Sequence, residues 1–165
     1  MHRDRRVMAW INILGGIAVL GSYAHGIWTH PDSAGEVWGG VPEWLRPFYT
    51  VSMLTAAAGY FAFTYFLFFR VDPNESRVAD RISSLRLCNA LYVLILLPSA
   101  LWMPLTFAML SDPHEGLWML IRLVLALVGI GSLAMIAALV ALQPREPRGA
   151  YALAVAGSVA FSIQT

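Results

Sequence analysis

Long apolar stretches constrain this chain more than any other feature. Residues 7–28, 48–69, 87–110 and 117–142 are four such runs, and each exceeds the roughly 20 residues that cross about 30 Å of hydrocarbon. A fifth run, residues 149–165, is shorter and stops with the chain. Because 58% of the residues are apolar and only 13% are charged, the composition also departs from that of soluble proteins. The sequence predicts one all-α, polytopic membrane helix bundle over residues 1–165.

The fifth run leaves the number of spans open. A helix from Gly149 to Thr165 would be about 25 Å long, which is short for the hydrocarbon core. Either the bilayer thins around a short fifth span, or the bundle has four full spans and a truncated fifth. We expect five spans. A cleaved signal peptide is the alternative for span 1, but the stretch from Val7 to Trp28 is longer than a typical signal core.

Positive charge is distributed unevenly between the spans. All eleven basic residues are arginine, and nine of them precede span 1 or lie between spans 2 and 3 or spans 4 and 5. The positive-inside rule places these segments on the cytoplasmic side. We therefore expect a multi-pass protein of the cell membrane with a cytoplasmic N-terminus. The net charge of +1 and the lack of a basic face predict no nucleic-acid partner.

Span 3 combines a polar face with two prolines. Pro98 and Pro104 each remove one helical hydrogen bond, and in lipid the freed carbonyls need partners from neighbouring helices, hydroxyls or water. We expect span 3 to be central and bent. The bend serves either helix packing alone or a site for a small hydrophobic ligand. The candidate ligand-binding residues are Asn89, Tyr92, Ser99, Trp102, Trp44, His25 and Arg122.

Two features on the predicted outer side each have two interpretations. Arg122 lies five residues into span 4 and either snorkels to the interface or points inward to an acidic loop residue or an anionic ligand group. The loop 29–47 carries Trp38 and Trp44. It is either an interfacial anchor or a lid over the bundle.

Motifs for metal binding and catalysis are missing from the sequence. The outer-side histidines His25, His30 and His114 lack the spacing of a helical ligand pair, and the single cysteine, Cys88, forms no cysteine-based metal site. No span contains an acidic residue, and the hydrolase, metalloprotease and phosphate-loop motifs are absent. We therefore expect a non-enzymatic protein without a metal, and an enzyme is only the third alternative.

Small residues give nearly every span a face for close helix packing. Gly15, Gly59, Gly131 and Gly157 are examples in spans 1, 2, 4 and 5. Such faces serve either the bundle itself or a partner in the membrane, which would be a second copy or another membrane protein. The alternative function is therefore that of a structural or assembly subunit.

Two segments carry a resemblance to a known family. Residues 41–61, VPEWLRPFYTVSMLTAAAGYF, enter span 2 with proline and tryptophan, and residues 89–107, NALYVLILLPSALWMPLTF, place an asparagine before Trp-x-Pro in span 3. Together with five spans and a tryptophan-bearing first loop, these segments resemble the TspO/MBR family of tryptophan-rich sensory or translocator proteins. The resemblance implies a five-helix pocket for a porphyrin, a sterol or a similar flat apolar ligand; the cofactor is otherwise unknown. The residues carried over are Trp44, Asn89, Trp102 and Pro104.

Overall fold

Five long helices form the protein in the computed structural model, which describes residues 3–78 and 82–165. Each helix boundary lies within four residues of the boundary of the apolar run that predicted it. Two 3₁₀ helices, Glu36–Trp38 and Glu43–Leu45, lie in the loop before the second helix. The helices are α1 (Arg3–Thr29), α2 (Arg46–Phe69), α3 (Ser84–Ser111), α4 (Glu115–Val140) and α5 (Arg148–Gln164).

The prediction of an all-α class is confirmed, and α1 to α4 are long and apolar enough to span a membrane. In contrast, α5 has 17 residues, which makes it about 25 Å long. The structure therefore establishes a helical bundle with four helices of membrane-spanning length.

Local sequence signals explain where two of the helices begin. Pro47 occupies the first turn of α2, where a missing backbone N–H costs nothing. His114 caps α4, because its Nδ1 accepts a hydrogen bond of 3.2 Å from the Leu117 backbone N–H. Glu115 then places a carboxylate in the first turn of α4, where the helix dipole favours negative charge.

A small antiparallel sheet differs from the purely helical prediction. Its strands are β1 (Arg77–Val78), β2 (Ile82–Ser83) and β3 (Leu142–Gln143), in the order β2-β1-β3. Arg77 pairs with Ser83 on one side and with Gln143 on the other. The sheet thereby joins the loop before α3 to the loop before α5.

The start of α1 lies at the same end of the bundle as this sheet. The Arg5 guanidinium donates a hydrogen bond of 2.9 Å to the Val71 carbonyl, and the Arg86 Nε lies 3.4 Å from an Asp4 carboxylate oxygen. We call this end the inner end and the opposite one the outer end. The three arginine-bearing segments that the sequence placed on one side of the membrane thus share one end of the molecule.

Glycines lie where neighbouring helices pack most closely. Going round the bundle, α1 packs on α3, α3 on α4, α4 on α5 and α5 on α2, whereas α1 and α2 make few contacts. A Cβ added at Gly15 would lie 2.7 Å from a Leu96 methyl carbon. At the α2–α5 contact, a Cβ added at Gly157 would lie 2.7 Å from the Gly59 carbonyl oxygen. Only glycine allows these two backbones to approach so closely.

The prolines of α3 do not interrupt the helix. Pro98 is buried, Pro104 is exposed, and α3 continues through both. The Ser99 hydroxyl donates a hydrogen bond of 2.7 Å to the Ile95 carbonyl of the same helix. The carbonyl that Pro98 leaves without a helical donor is that of Leu94, so the Ser99 hydroxyl does not replace the bond that this proline removes.

Candidate functional site

A layer of aromatic side chains crosses the inner part of the bundle. It consists of Tyr60 and Phe63 from α2, Tyr92 from α3 and Phe161 from α5. The Tyr60 ring centroid lies 5.2 Å from that of Phe63 and 5.9 Å from that of Tyr92, and the Phe161 centroid lies 5.9 Å from that of Phe63. Phe63 and Tyr92 are fully buried. We call these four residues the aromatic layer.

Hydrogen bonds across helices satisfy the polar atoms of this layer. The Tyr60 hydroxyl donates to the Asn12 side-chain oxygen on α1, while Asn12 Nδ2 donates over 2.8 Å to the Met8 carbonyl. The Tyr92 hydroxyl lies 2.8 Å from the Thr64 hydroxyl on α2. Because these hydroxyl and amide groups have partners on neighbouring helices, the layer ties α1, α2 and α3 together.

Few residues of α2 are buried toward the outer end. Between Arg46 and Ala58 of α2, only Ala56 is buried, whereas Phe63, Phe66 and Leu67 are buried between Tyr60 and Phe69. On α1 the two halves do not differ, since one residue is buried in each, Met8 and Gly26.

Most of the large, fully buried side chains lie at the layer or on its inner side. Those on the inner side include Met8, Phe66, Leu67, Leu85, Cys88, Met135, Leu139 and Leu142. Further out, α3 and α4 also bury Met103, Phe107, Ile121 and Val124.

Half-buried residues on three helices lie between the aromatic layer and the outer end. The Tyr23 and Trp102 rings meet edge to face, with their centroids 5.7 Å apart. Ser99 is half-buried one turn before Trp102 on α3. Ser52 is half-buried on α2, one turn before the buried Ala56 and on the same face of the helix.

The candidate residues of span 3 lie at two levels of the bundle. Asn89 and Tyr92 lie within one turn of each other in its inner part, and Ser99 and Trp102 lie in the outer half. The thirteen helical steps from Asn89 to Trp102 correspond to about 20 Å. The structure therefore brings Ser99 and Trp102 to the same level of the bundle, but it does not bring all four residues into one pocket.

The remaining candidate residues lie at the surface. Trp44 is 69% exposed on the 3₁₀ helix before α2. His25 and Arg122 are exposed on α1 and α4. Arg122 therefore does not point into the bundle.

A surface groove at the inner end is lined by charged and polar side chains. It has a volume of about 440 Å³ and lies between the first turns of α1 and of α3. Asn89 Nδ2 donates a hydrogen bond of 3.0 Å to the Asp4 carbonyl, which fixes the orientation of its carboxamide. We call this surface groove the inner groove. It is lined by Arg3, Asp4, Val7, Arg86 and Asn89.

A second groove, of about 370 Å³, lies at the outer end and includes Met109, His114 and Trp118. Neither groove contains Tyr92, Ser99 or Trp102. Among the residues that the structure describes, no three histidine, cysteine or acidic side chains are grouped so that they could hold a metal ion.

Sequence reasoning missed two of these arrangements. Asn12 is a polar residue inside an apolar run, and a polar group in hydrocarbon needs a partner, but the sequence does not identify Tyr60 as that partner. Likewise, Asp4 and Arg86 are far apart in the sequence and share a groove only because α1 packs on α3.

Comparisons of the chain with protein-family models, with curated proteins and with solved structures find no match.

Proposed function

We propose that this protein is a non-enzymatic integral membrane protein that binds a small hydrophobic ligand in the outer half of its bundle. The observation that carries the proposal is the contact between the half-buried Tyr23 and Trp102 rings on the outer side of the aromatic layer, where α2 buries only Ala56 between Arg46 and Ala58. In this proposal the ligand lies between α1, α2 and α3, with the aromatic layer beneath it. We call this proposed site the outer cleft, and we expect Tyr23, Ser99 and Trp102 to border it.

The same proposal includes five membrane crossings and a cytoplasmic inner end. In support, the arginine-bearing segments meet at the inner end, as the positive-inside rule requires of a cytoplasmic face. The Arg70 guanidinium lies 5.5 Å from the Tyr65 ring centroid, and that of Arg145 lies 5.6 Å from the Tyr151 ring centroid. Such pairs of tyrosine and arginine suit the boundary between headgroups and hydrocarbon. They occur where α2 ends and α5 begins, so that α5 would start its crossing at this boundary.

The residues around the outer cleft favour a flat apolar ligand with few polar groups. Tyr23 and Trp102 offer ring faces together with one hydroxyl and one indole N–H. Ser99 adds a short hydroxyl side chain. A porphyrin, a sterol or a quinone has this character, and the resemblance to the TspO/MBR family supports the first two.

A fluorescence titration tests this proposal. Detergent-purified protein is titrated with protoporphyrin, a sterol and a quinone, and the apparent dissociation constant is taken from tryptophan quenching. We expect saturable binding of one ligand. Because Ser99→Leu fills the cleft and Trp102→Phe removes a ring edge and an N–H donor, each variant should bind about tenfold more weakly, which corresponds to about 1.4 kcal/mol.

The matched control is Trp10→Phe, since Trp10 is exposed on the inner half of α1. It removes one tryptophan without touching the cleft and should leave the dissociation constant unchanged. Unsaturable quenching that is identical in all four proteins would mean partition into the micelle and would contradict the proposal.

A specific observation also favours the alternative of an assembly subunit. A Cβ added at Gly21 would meet no atom within 4 Å, and Ala18, Gly21 and His25 are all exposed on one face of α1. That face would accept a helix of a second copy or of another membrane protein. If so, Gly21→Leu should abolish co-purification of a stoichiometric partner in mild detergent. Isolation of the parent protein as a monomer would contradict this alternative.

A further inference from the structure

We propose that the inner groove binds the headgroup of a glycerophospholipid from the leaflet at the inner end. The proposal rests on the chain spanning a membrane, but it does not depend on a ligand in the outer cleft. The groove lies at the opposite end of the bundle from Ser99 and Trp102. It is also open to the surface, so that a lipid can enter from the side.

Two arginines give the groove its affinity for a phosphate. Arg3 is exposed on the first turn of α1, and the Arg86 side chain is 77% exposed on α3. The ion pair with Asp4 uses the Arg86 Nε. The two terminal nitrogens of this guanidinium can therefore bind a phosphate. Basic pockets between helices at this depth are typical binding sites of phospholipid headgroups, and the planar guanidinium matches two phosphate oxygens at once.

Asn89 indicates that the headgroup also carries a hydrogen-bond donor. Its side chain is in the wall of the groove and only 8% exposed. Nδ2 is used by the Asp4 carbonyl, whereas Oδ1 is buried and accepts no hydrogen bond from any residue that the structure describes. Because a buried acceptor without a donor is costly, we assign it to a hydrogen-bond donor of the headgroup.

The surface that extends from the inner groove toward the outer end is apolar and suits an acyl chain. On α1, the exposed residues Trp10 and Leu14 follow the groove residue Val7 on one face. On α3, the exposed Val93 and Leu97 lie two and three turns beyond Arg86 on the side of the helix that carries it. The two rows flank the contact between α1 and α3. An acyl chain would lie between them while the phosphate stays at Arg3 and Arg86.

Together these features select phospholipids whose headgroup has an N–H or O–H donor. Phosphatidylethanolamine has an ammonium group and phosphatidylglycerol has hydroxyls, and both carry the phosphate. Phosphatidylcholine shares the phosphate, but its quaternary nitrogen has no hydrogen to donate to Asn89.

Native mass spectrometry of the delipidated protein tests the proposal. The three phospholipids are titrated with identical acyl chains, and bound lipids are counted. We expect one tightly retained phosphatidylethanolamine or phosphatidylglycerol and weaker retention of phosphatidylcholine. Arg86→Gln should weaken the retained lipid about fivefold, the effect of one arginine near the surface.

Arg6→Gln is the matched control, because Arg6 is exposed on the same first turns of α1 and does not line the groove. It makes the same change of charge and should leave retention unchanged. Asn89→Ala should reduce the preference over phosphatidylcholine while Arg86→Gln preserves it.

Equal weakening by Arg6→Gln and Arg86→Gln would overturn the proposal, since the attraction would then be general charge. Equal retention of all three lipids by the parent protein would overturn the role of Asn89. Because Arg86 is at the surface, circular dichroism of Arg86→Gln should match that of the parent, and the quenching titration of this variant should be unchanged. Failure of the lipid-binding proposal is therefore distinguishable from failure of the proposal that a ligand binds in the outer cleft.

Discussion

At the scale of single residues, polar side chains hold the helices together at defined levels. Tyr60 reaches Asn12 on another helix, and Tyr92 meets Thr64. Neighbouring helices gain little from burying leucine against leucine in lipid, so such contacts and close packing carry their association. Because Tyr92 belongs to the aromatic layer and its hydroxyl contacts Thr64, it would lie at the base of the proposed outer cleft and not along its walls.

We predict that Asn12 and Tyr60 are energetically coupled. In a double-mutant cycle of Asn12→Ala and Tyr60→Phe, the coupling should be about 0.6 kcal/mol, as for interhelical hydrogen bonds in membrane proteins, and below about 1.7 kcal/mol. The free energy of unfolding in mixed micelles gives this value. Tyr49→Phe is the control, because Tyr49 is exposed at the outer end of α2. Additive effects of the two changes would mean that the contact contributes nothing.

At the scale of the helix, α5 depends on α2. A helix of 17 residues is short for a membrane span, and α5 lies along α2 with Gly157 against Gly59. The two glycines have no side chains to separate the backbones, so the contact extends over much of the short helix. This contact also shows that Gly59 is occupied within the bundle and is not a face for an external partner.

We predict that Gly59→Ala destabilises the protein. A Cβ at this position would overlap the Gly157 carbonyl, and overpacking costs about 1–3 kcal/mol. That cost exceeds the roughly 1 kcal/mol that alanine gains over glycine in a helix. The free energy of unfolding in detergent measures the difference.

Gly129→Ala is the matched control on α4, because an added Cβ there meets no atom within 4 Å. It should leave the stability unchanged or raise it slightly. If Gly59→Ala behaved like Gly129→Ala, the close contact between α2 and α5 would be wrong.

At the scale of the whole molecule, the two ends of the bundle differ in how far α2 is covered. The inner half is closed by the sheet, by the Arg5 contact to Val71 and by the buried core. Toward the outer end, α2 buries only Ala56 between Arg46 and Ala58. A helix that is little covered at this end suits a site that opens toward the outer end, as the proposed function requires.

We predict that the inner end faces the cytoplasm. In a Cys88→Ala background, single cysteines at Asp32 and Asp112 should react with a membrane-impermeant maleimide in intact cells, because both residues lie in outer-end loops. Cysteines at Glu75 and Arg145 should react only after permeabilisation, because both lie in inner-end loops. Labelling of Glu75→Cys in intact cells would reverse the orientation.

The sequence by itself determined the helices and the grouping of the loops. Apolar length is a local property, so the runs predicted each helix to within four residues, and the arginines identified the segments that meet at the inner end. Only the tertiary structure decided which faces meet, since that depends on the rotation and neighbours of each helix. It paired Tyr60 with Asn12 and Asp4 with Arg86, and it separated Asn89 and Tyr92 from Ser99 and Trp102 along α3. Spacing along one helix predicts a shared face, but a site also needs the opposing helix, and no local pattern specifies it.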